Sequence, residues 1–352
     1  MLGGRGGAWW GARVGAKRVL VTGASGFIGR PLVRALVHAG YTVRAATRRP
    51  VSFPDSIDVA IVPDFSAQID WKPILRGMDV VVHVAGLAHA DSPDEAFGVF
   101  DRVNWIATQE LARAAARASV GHFVYISSVR AQTGPSATGV VREEDEAHPT
   151  DHYGRSKLAA ESAVRASGVP FTIMRPVVVY GAHPKGNFKS VLRLAKSPWP
   201  LPVGGLNCRR SLLGIDNLLS AILSVLNNPA ALGETYLVAD PKPVTIRELF
   251  TILREAQGRR PWLINVPQKL FRLALMLMNR SHLWERLGDE LVVDTTKLEA
   301  LGWRPAVETY DGLRAALSTE NGEVLLEGPS TQALKKNLVL PLPGQLIHVT
   351  RL

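Results

Sequence analysis

Residues 17–29 read KRVLVTGASGFIG, and the organisation of the whole chain follows from this stretch. Val19–Val21 form a short apolar run, which is typical of a parallel strand covered on both faces. Gly23, Gly26 and Gly29 follow at three-residue steps, which is the GxxGxxG variant of the dinucleotide fingerprint. Because a helix N-terminus presents free N–H groups and a positive dipole end, the stretch predicts a strand, a pyrophosphate-binding turn and a helix.

The composition limits the classes of function. The chain has 352 residues, a formal net charge of +10 and a single cysteine, Cys208. Its basic residues are scattered and form no dense tract, so nucleic acid is not a predicted partner, whereas an anionic small substrate is. One cysteine excludes an internal disulfide framework and is typical of a reducing compartment. We therefore expect a cytoplasmic location.

Strands and helices alternate up to residue 180, and this alternation predicts an α/β fold with a doubly wound parallel sheet of the Rossmann type. Prolines interrupt the pattern beyond that point, where we expect a smaller α/β region that binds the substrate. The expected parts are a flexible leader (1–16), a Rossmann domain (17–180, with 211–240 partly returning to it), a substrate-binding region (181–320) and a C-terminal appendage (321–352).

Leu270–Met278 is the most apolar stretch of the chain. It is shorter than the roughly 18 residues that a membrane-spanning helix needs. Lys269, Arg272 and Arg280 flank it, and basic residues beside an apolar helix favour contact with a membrane surface. We therefore predict a buried or surface-docked helix, with a weak membrane-surface contact over 265–288 as the alternative.

A second motif, Tyr153-Gly-Arg-Ser-Lys157, places a phenol and an ammonium group on one helix face. A phenol with its ordinary pKa of about 10 is a poor acid or base at neutral pH. A neighbouring ammonium group, helped by a bound nicotinamide cation, favours the phenolate, and we expect this to make Tyr153 usable for proton transfer. Ser127 and Ser128 end a predicted strand, at the sheet edge where ligands of open α/β sheets bind.

With the glycine turn, the strand-end serines and YxxxK in this order, residues 17–312 resemble the extended short-chain dehydrogenase/reductase superfamily. Within it the chain is similar to the NAD(P)-dependent nucleotide-sugar epimerases, dehydratases and reductases. The pattern is most similar to UDP-4-keto-6-deoxy-N-acetylhexosamine 4-reductases and UDP-sugar 4-epimerases. Further segments that match are Val82–Gly86, Val103–Asn104, Arg175–Pro176 and Val179–Gly181.

The resemblance implies specific site residues. Tyr153 would transfer the proton at the sugar O4, Ser128 rather than Ser127 would hold that oxygen, and Lys157 would tune the phenol and bind the cofactor ribose. The implied cofactor residues are Gly23, Ser25, Gly26, Phe27, Ile28, Gly29, Arg48, Asp64, Phe65, Val84, Ala85, Gly86, Ser127, Tyr153 and Lys157. The implied substrate residues are His89, Ser128, Asn187 and Arg210. No metal is expected.

Arg210 is expected to grip the substrate diphosphate, because a guanidinium fork matches phosphate geometry. The cofactor can be argued from the end of the second strand, Ala45–Arg49. An acidic residue about 20 positions past the glycines normally binds the ribose hydroxyls of NAD, but this strand end has none. Arg48 and Arg49 would attract a 2′-phosphate, so NADP(H) is favoured and NAD(H) is the alternative.

The sequence therefore predicts hydride transfer at C4 of a UDP-linked (acetamido) sugar, with 4-keto reduction in surface-polysaccharide precursor synthesis as the net reaction. One alternative is a UDP-glucose or UDP-N-acetylglucosamine 4-epimerase. An alternative of another class is a non-catalytic dinucleotide-binding sensor, which would not need Ser128, Tyr153 and Lys157. A homodimer is also expected, paired through helices predicted over 103–118 and 153–166.

Overall fold

The computed structural model describes residues 17–88, 98–182, 187–279, 284 and 288–318. The opening stretch forms strand β1 (Arg18–Thr22), the glycine turn and helix α1 (Gly29–His38), as predicted. The further elements are, in chain order, β2 (Thr42–Thr47), β3 (Asp58–Ile61), α2 (Trp71–Leu75), β4 (Val80–His83), a π-helical turn (Asp101–Ile106), α3 (Ala107–Arg117), β5 (His122–Ile126), a 3-10 turn (Val129–Ala131), β6 (Val140–Val141), α4 (His152–Arg165), β7 (Phe171–Pro176), β8 (Val178–Tyr180), α5 (Asn187–Ala195), β9 (Arg209–Arg210), β10 (Leu212–Gly214), α6 (Ile215–Leu226), a second 3-10 turn (Pro229–Ala231), β11 (Thr235–Val238), β12 (Val244–Thr245), α7 (Ile246–Glu255), α8 (Gln268–Leu277), β13 (Val292–Val293), α9 (Thr296–Ala300) and α10 (Thr309–Ser318).

Within the described residues, seven parallel strands form the central sheet in the order β11-β7-β5-β4-β1-β2-β3. This arrangement confirms the predicted Rossmann-type sheet. The chain runs from β1 through β2 to β3 on one side, and from β4 through β5 to β7 and β11 on the other. The strand order therefore reverses between β1 and β4, where open α/β sheets bind their ligands beyond the carboxyl ends of the strands.

Strand β1 lies at the centre of the core, and its side chains alternate between the two faces. Val19 and Val21 belong to the cluster that includes α1 and α6, whereas Leu20 belongs to the cluster that includes α3 and α4. All three side chains are fully buried. Burying a Val or Leu side chain contributes about 1.5–3 kcal/mol, so both layers of helices hold the strand that carries the glycine turn.

The helix predicted over 103–118 begins instead as a π-helical turn, which continues into α3. Such turns are rare, and they are frequent at functional sites. Asn104 lies in the turn and is buried, so the irregular backbone places an amide next to the loop that follows β4.

A third cluster of apolar side chains lies beyond the sheet and joins α5, α7 and α10. A buried carboxylate links this region to the sheet. Asp240 accepts hydrogen bonds from the Tyr180 hydroxyl at 2.6 Å, the Gly214 N–H at 2.9 Å and the Asn217 amide at 2.7 Å. In the part of the chain that the structure describes, no helix has both the length and the apolar character needed to cross a membrane.

Candidate active site

At two positions of the turn after β1, only glycine fits. Gly23 has φ +68°, and a Cβ on it would lie 2.8 Å from the Ala85 nitrogen. A Cβ on Gly29 would collide with the Gly23 carbonyl oxygen. Helix α1 starts here with no side-chain cap and no acidic residue in its first turn, which leaves backbone N–H groups for an anion. The turn therefore fits the pyrophosphate of a nicotinamide dinucleotide.

The loop after β4, which contains Val84, Ala85 and Gly86, is held beside this turn by a buried histidine. His83 hydrogen-bonds Thr22 at 2.6 Å and Thr108 at 2.8 Å through its two ring nitrogens. Burial lowers the pKa of His83 to about 3, so the ring stays neutral. The Ala85 N–H also donates to the Thr22 hydroxyl, at 3.4 Å. In the turn itself Ser25 is exposed, whereas Phe27 and Ile28 are partly buried.

Arg48 and Asp64, two of the residues predicted to bind the cofactor, come together after the ends of β2 and β3. The Arg48 guanidinium donates to the Asp64 carboxylate at 2.7 Å, and the Ser66 N–H donates to the same carboxylate at 2.9 Å. The Ser66 backbone N–H and the Arg48 side chain lower the pKa of Asp64 to about 2. The Phe65 side chain is instead buried against Trp71 and His83, so it supports this loop from the core side.

Asn104 connects the cofactor loop to the helix that carries Tyr153. Its amide accepts from the Leu87 N–H at 2.7 Å and donates to the Leu87 carbonyl at 2.9 Å and to Ser156 at 3.1 Å. A Cβ on Gly86 would lie 3.2 Å from the Asn104 oxygen and 3.6 Å from the Lys157 nitrogen. The loop predicted to contact the cofactor therefore lies directly against Lys157.

Helix α4 starts where it packs on the turn after β5. Asp151 caps the helix by accepting the Gly154 N–H at 2.7 Å, and Arg130 pairs with the same carboxylate. A Cβ on Gly154 would collide with the Arg130 carbonyl oxygen, so only glycine permits this approach. The close packing brings the Tyr153 phenol into a hydrogen bond with Ser128. Gly154 was not among the predicted site residues, although its place inside the YxxxK pattern is the signal that could have indicated it.

Lys157 lies one helical turn further on and is buried, with 4% of its surface exposed. Its ammonium group donates to the Ile126 carbonyl at 2.8 Å and lies 4.5 Å from the centre of the Tyr125 ring. Burial lowers the pKa of Lys157 to about 7, and the nearby Glu161 charge opposes that shift.

The protein groups around Tyr153 do not by themselves favour the phenolate. Burial raises the pKa of the phenol, and the hydrogen bond from Ser128 only partly opposes the shift. Desolvation penalises the phenolate more than the surrounding groups stabilise it. A phenol is protonated at neutral pH, and this form can donate a proton to a carbonyl oxygen.

A buried network that the sequence analysis missed lies next to Lys157, one of the residues predicted to be catalytic. Ser127 donates to Glu161 at 2.6 Å, and Arg175 makes a bidentate pair with the same carboxylate at 2.6 and 2.9 Å. Arg175 also donates to the Gln132 side chain at 2.9 Å. All four side chains are at most 5% exposed. The spacing of Glu161, four residues after Lys157, is a signal that could have indicated it.

The predicted substrate residues are less fully described. Arg210 is buried and donates to the Asp289 carbonyl at 2.8 Å and to the Pro135 carbonyl at 2.6 Å, so it ties two backbone segments together. His89 and the side chain of Asn187 lie outside the described residues. In the described ranges, no His, Cys, Asp and Glu side chains cluster as a metal site would require.

The sequence matches known proteins over most of its length. Residues 19–239 match the model of the NAD dependent epimerase/dehydratase family. A UDP-glucose 4-epimerase of Vibrio cholerae is 33% identical over 308 residues, which cover 85% of this chain and 94% of the relative. A GDP-6-deoxy-D-mannose reductase of Pseudomonas aeruginosa is 30% identical over 317 residues, which cover 86% of this chain and 96% of the relative.

The fold also matches solved structures. The UDP-glucuronic acid 4-epimerase of Bacillus cereus, solved in complex with NAD, superposes with a TM-score of 0.70. The match covers 86% of this chain and 98% of that one, at 21% sequence identity. At this identity the likeness establishes a shared fold, which agrees with the parallel sheet and the glycine turn described above.

Proposed function

Because the chain belongs to the NAD dependent epimerase/dehydratase family, we propose that it is a nucleotide-sugar oxidoreductase that acts at C4 of a UDP-linked acetamido sugar. The proposed net reaction is reduction of a 4-ketone in the synthesis of surface-polysaccharide precursors. One observation carries the proposal: the Tyr153 phenol lies beside Ser128, and Lys157 is buried one helical turn away, beside the loop predicted to contact the cofactor.

In this proposal Tyr153 donates its phenolic proton to the sugar O4 as the ketone becomes an alcohol. The Ser128 hydroxyl holds the same oxygen, and the Lys157 ammonium group stabilises the phenolate that is left behind. The bound nicotinamide cofactor supplies the hydride that reaches C4. General acid catalysis of this kind contributes about 10²–10⁴-fold to the rate.

NADP(H) is the proposed cofactor. The end of β2 offers no carboxylate to the ribose hydroxyls, and Arg48, whose side chain is 68% exposed, lies at that position. A reductase needs an exchangeable cofactor, and the relative from Pseudomonas aeruginosa is named a reductase. Arg210, Asn187 and His89 are proposed to contact the UDP-sugar, the first through its diphosphate. We place the reaction in the cytoplasm and propose a homodimer paired through α3 and α4.

A 4-epimerase is the second candidate, because the 33% identical relative from Vibrio cholerae is named a UDP-glucose 4-epimerase. An epimerase holds one cofactor molecule through oxidation and reduction and consumes none. The same Ser128, Tyr153 and Lys157 arrangement serves both reactions, so the fate of the cofactor is the property that separates them.

Purified protein would be incubated with NADPH and a UDP-4-keto-6-deoxy-N-acetylhexosamine while the reduced nicotinamide absorbance near ~340 nm is followed. Loss of absorbance with formation of the reduced sugar is expected. Conversion of UDP-glucose or UDP-N-acetylglucosamine without added cofactor, together with co-purified NAD identified by mass spectrometry, would instead establish the epimerase. Cofactor binding without turnover of either sugar would leave only a dinucleotide-binding role.

A further inference from the structure

Helix α8 exposes most of its apolar side chains, unlike an ordinary surface helix. Such helices normally turn their apolar face to the core. Here Leu275 is buried, while Leu270, Leu273, Met276 and Leu277 are 57%, 49%, 59% and 80% exposed. The four exposed side chains lie on the side of the helix that points away from Leu275. The helix therefore presents an apolar surface to its surroundings.

Two exposed tryptophans lie on two paired segments, of which the second leads into this helix. Trp199 and Trp262 are 74% and 62% exposed. Their segments are paired, because the Leu201 N–H donates to the Trp262 carbonyl at 3.2 Å and the Ile264 N–H donates to the Leu201 carbonyl at 2.8 Å. We call Trp199, Trp262 and the outward side of α8 the apolar face.

A buried arginine fixes the backbone of both tryptophan segments. Arg254 is 2% exposed and donates to the carbonyl oxygens of Ser197 at 2.9 Å, Trp199 at 2.6 Å and Pro261 at 2.9 Å. Trp262 is held at φ +43°, in the left-handed region that a bulky residue rarely adopts. Such strain persists only where the surroundings impose it, and it is concentrated at functional positions.

The segment that carries Trp262 and α8 is basic in sequence. The sequence between Glu255 and Glu285 contains no Asp or Glu. It contains five basic residues, Arg259, Arg260, Lys269, Arg272 and Arg280. The first four are exposed. A second copy of the same face would be repelled by these charges, whereas an anionic lipid surface would be attracted by them.

We propose that the apolar face docks on an anionic phospholipid bilayer. Leucine and methionine side chains enter the boundary between headgroups and acyl chains, the tryptophans lie at headgroup level, and the basic residues contact lipid phosphates. The proposal does not depend on which sugar the active site converts. It does require that the full chain binds anionic vesicles through these side chains.

The proposal is tested by co-sedimentation of the full-length protein with vesicles of phosphatidylglycerol and phosphatidylcholine. Vesicles of phosphatidylcholine alone are the comparison. The protein is expected to sediment with the anionic vesicles and to be released as salt is raised. The L273E/L277E variant is expected to lose at least tenfold in binding. The R260A/K269A variant should lose about fivefold for each charge removed, which is about 25-fold in total. Both variants should keep their turnover of a water-soluble sugar nucleotide.

The matched control is I61E/L232E, which places the same substitutions on two exposed apolar residues far from α8 in sequence, Ile61 in edge strand β3 and Leu232 just before edge strand β11. Its vesicle binding should equal that of the unmodified protein. Failure of the unmodified protein to bind anionic vesicles would overturn the proposal, as would equal losses in the control. Light scattering that shows a dimer split by L273E/L277E would assign the face to a second copy and would also overturn it.

Discussion

The Rossmann half of the molecule buries charged groups, whereas the region around α8 exposes apolar ones. Lys157, Glu161 and Arg175 are at most 5% exposed, and each makes hydrogen bonds inside the protein. Leu273 and Leu277 are exposed, although burying a leucine side chain contributes about 1.5–3 kcal/mol. Both arrangements cost free energy, and each lies where we place a function.

A substitution affects the buried charges and the exposed leucines differently. A buried charge depends on its partners, so removing one partner leaves the other charge desolvated and damages the fold. An exposed leucine has few partners inside the protein, so replacing it changes what the surface binds and not the fold. Substitutions in the first region are therefore expected to change catalysis and stability, and those on the apolar face only docking.

The largest effect is expected from Tyr153→Phe. Removing the phenolic hydroxyl removes the proposed proton donor, so kcat should fall by about 10²–10⁴-fold while the cofactor still binds. Steady-state kinetics and cofactor titration measure the two quantities. Tyr41→Phe is the control, because the Tyr41 hydroxyl contacts Asn227 on the surface, and its kcat should not change. Retained activity in Tyr153→Phe would exclude the proposed role of the phenol.

Arg175→Met comes next, because it leaves the Glu161 carboxylate buried without its bidentate partner. The free energy of unfolding should fall by about 3–5 kcal/mol in urea titrations. Arg165→Met removes a second, longer contact to Glu161, at 3.6 Å, from a side chain that is 41% exposed, and should cost about 1 kcal/mol or less. Similar losses in the two variants would show that burial of the pair does not control stability.

Gly29→Ala tests the glycine turn. Its Cβ would collide with the Gly23 carbonyl, so the turn must shift away from the position that fits a pyrophosphate. Overpacking of this kind costs about 1–3 kcal/mol, and we expect the cofactor Kd to rise by about tenfold or more in calorimetric titrations. Gly98→Ala is the control, since a Cβ there meets nothing within 4 Å. An unchanged Kd in Gly29→Ala would contradict the assigned turn.

The smallest effect is expected from Asp64→Asn. The pKa of Asp64 is lowered to about 2, so its charge contributes stability above its ordinary pKa of about 3.8, and this contribution is lost as the pH falls towards 2. Asp64 and Arg48 are 48% and 68% exposed, so the difference in unfolding free energy at pH 7 should stay below about 1 kcal/mol. Urea titrations from pH 7 to pH 3 should show the difference between unmodified protein and variant shrinking. A difference that grows as the pH falls would contradict a stabilising charge at Asp64.

Much of the fold could be predicted because its signals are local. The apolar run at Val19–Val21 followed by three glycines identifies β1 and its turn without any long-range information. The four-residue spacing of Tyr153 and Lys157 places both on one helix for the same reason. Local patterns could not anticipate the π-helical turn that carries Asn104, because that turn is set by contacts with Leu87 and Ser156 from other parts of the chain.

By itself the sequence determined the parallel sheet, the glycine turn and the place of Tyr153 and Lys157 on one helix, since these depend on backbone periodicity and local side-chain pattern. Only the tertiary structure decided that Ser128 meets Tyr153 while Ser127 meets Glu161, and that the pKa of the phenol rises. It also decided that α8 turns its leucines outward. Desolvation and packing depend on segments far apart in the chain, so no local pattern contains them.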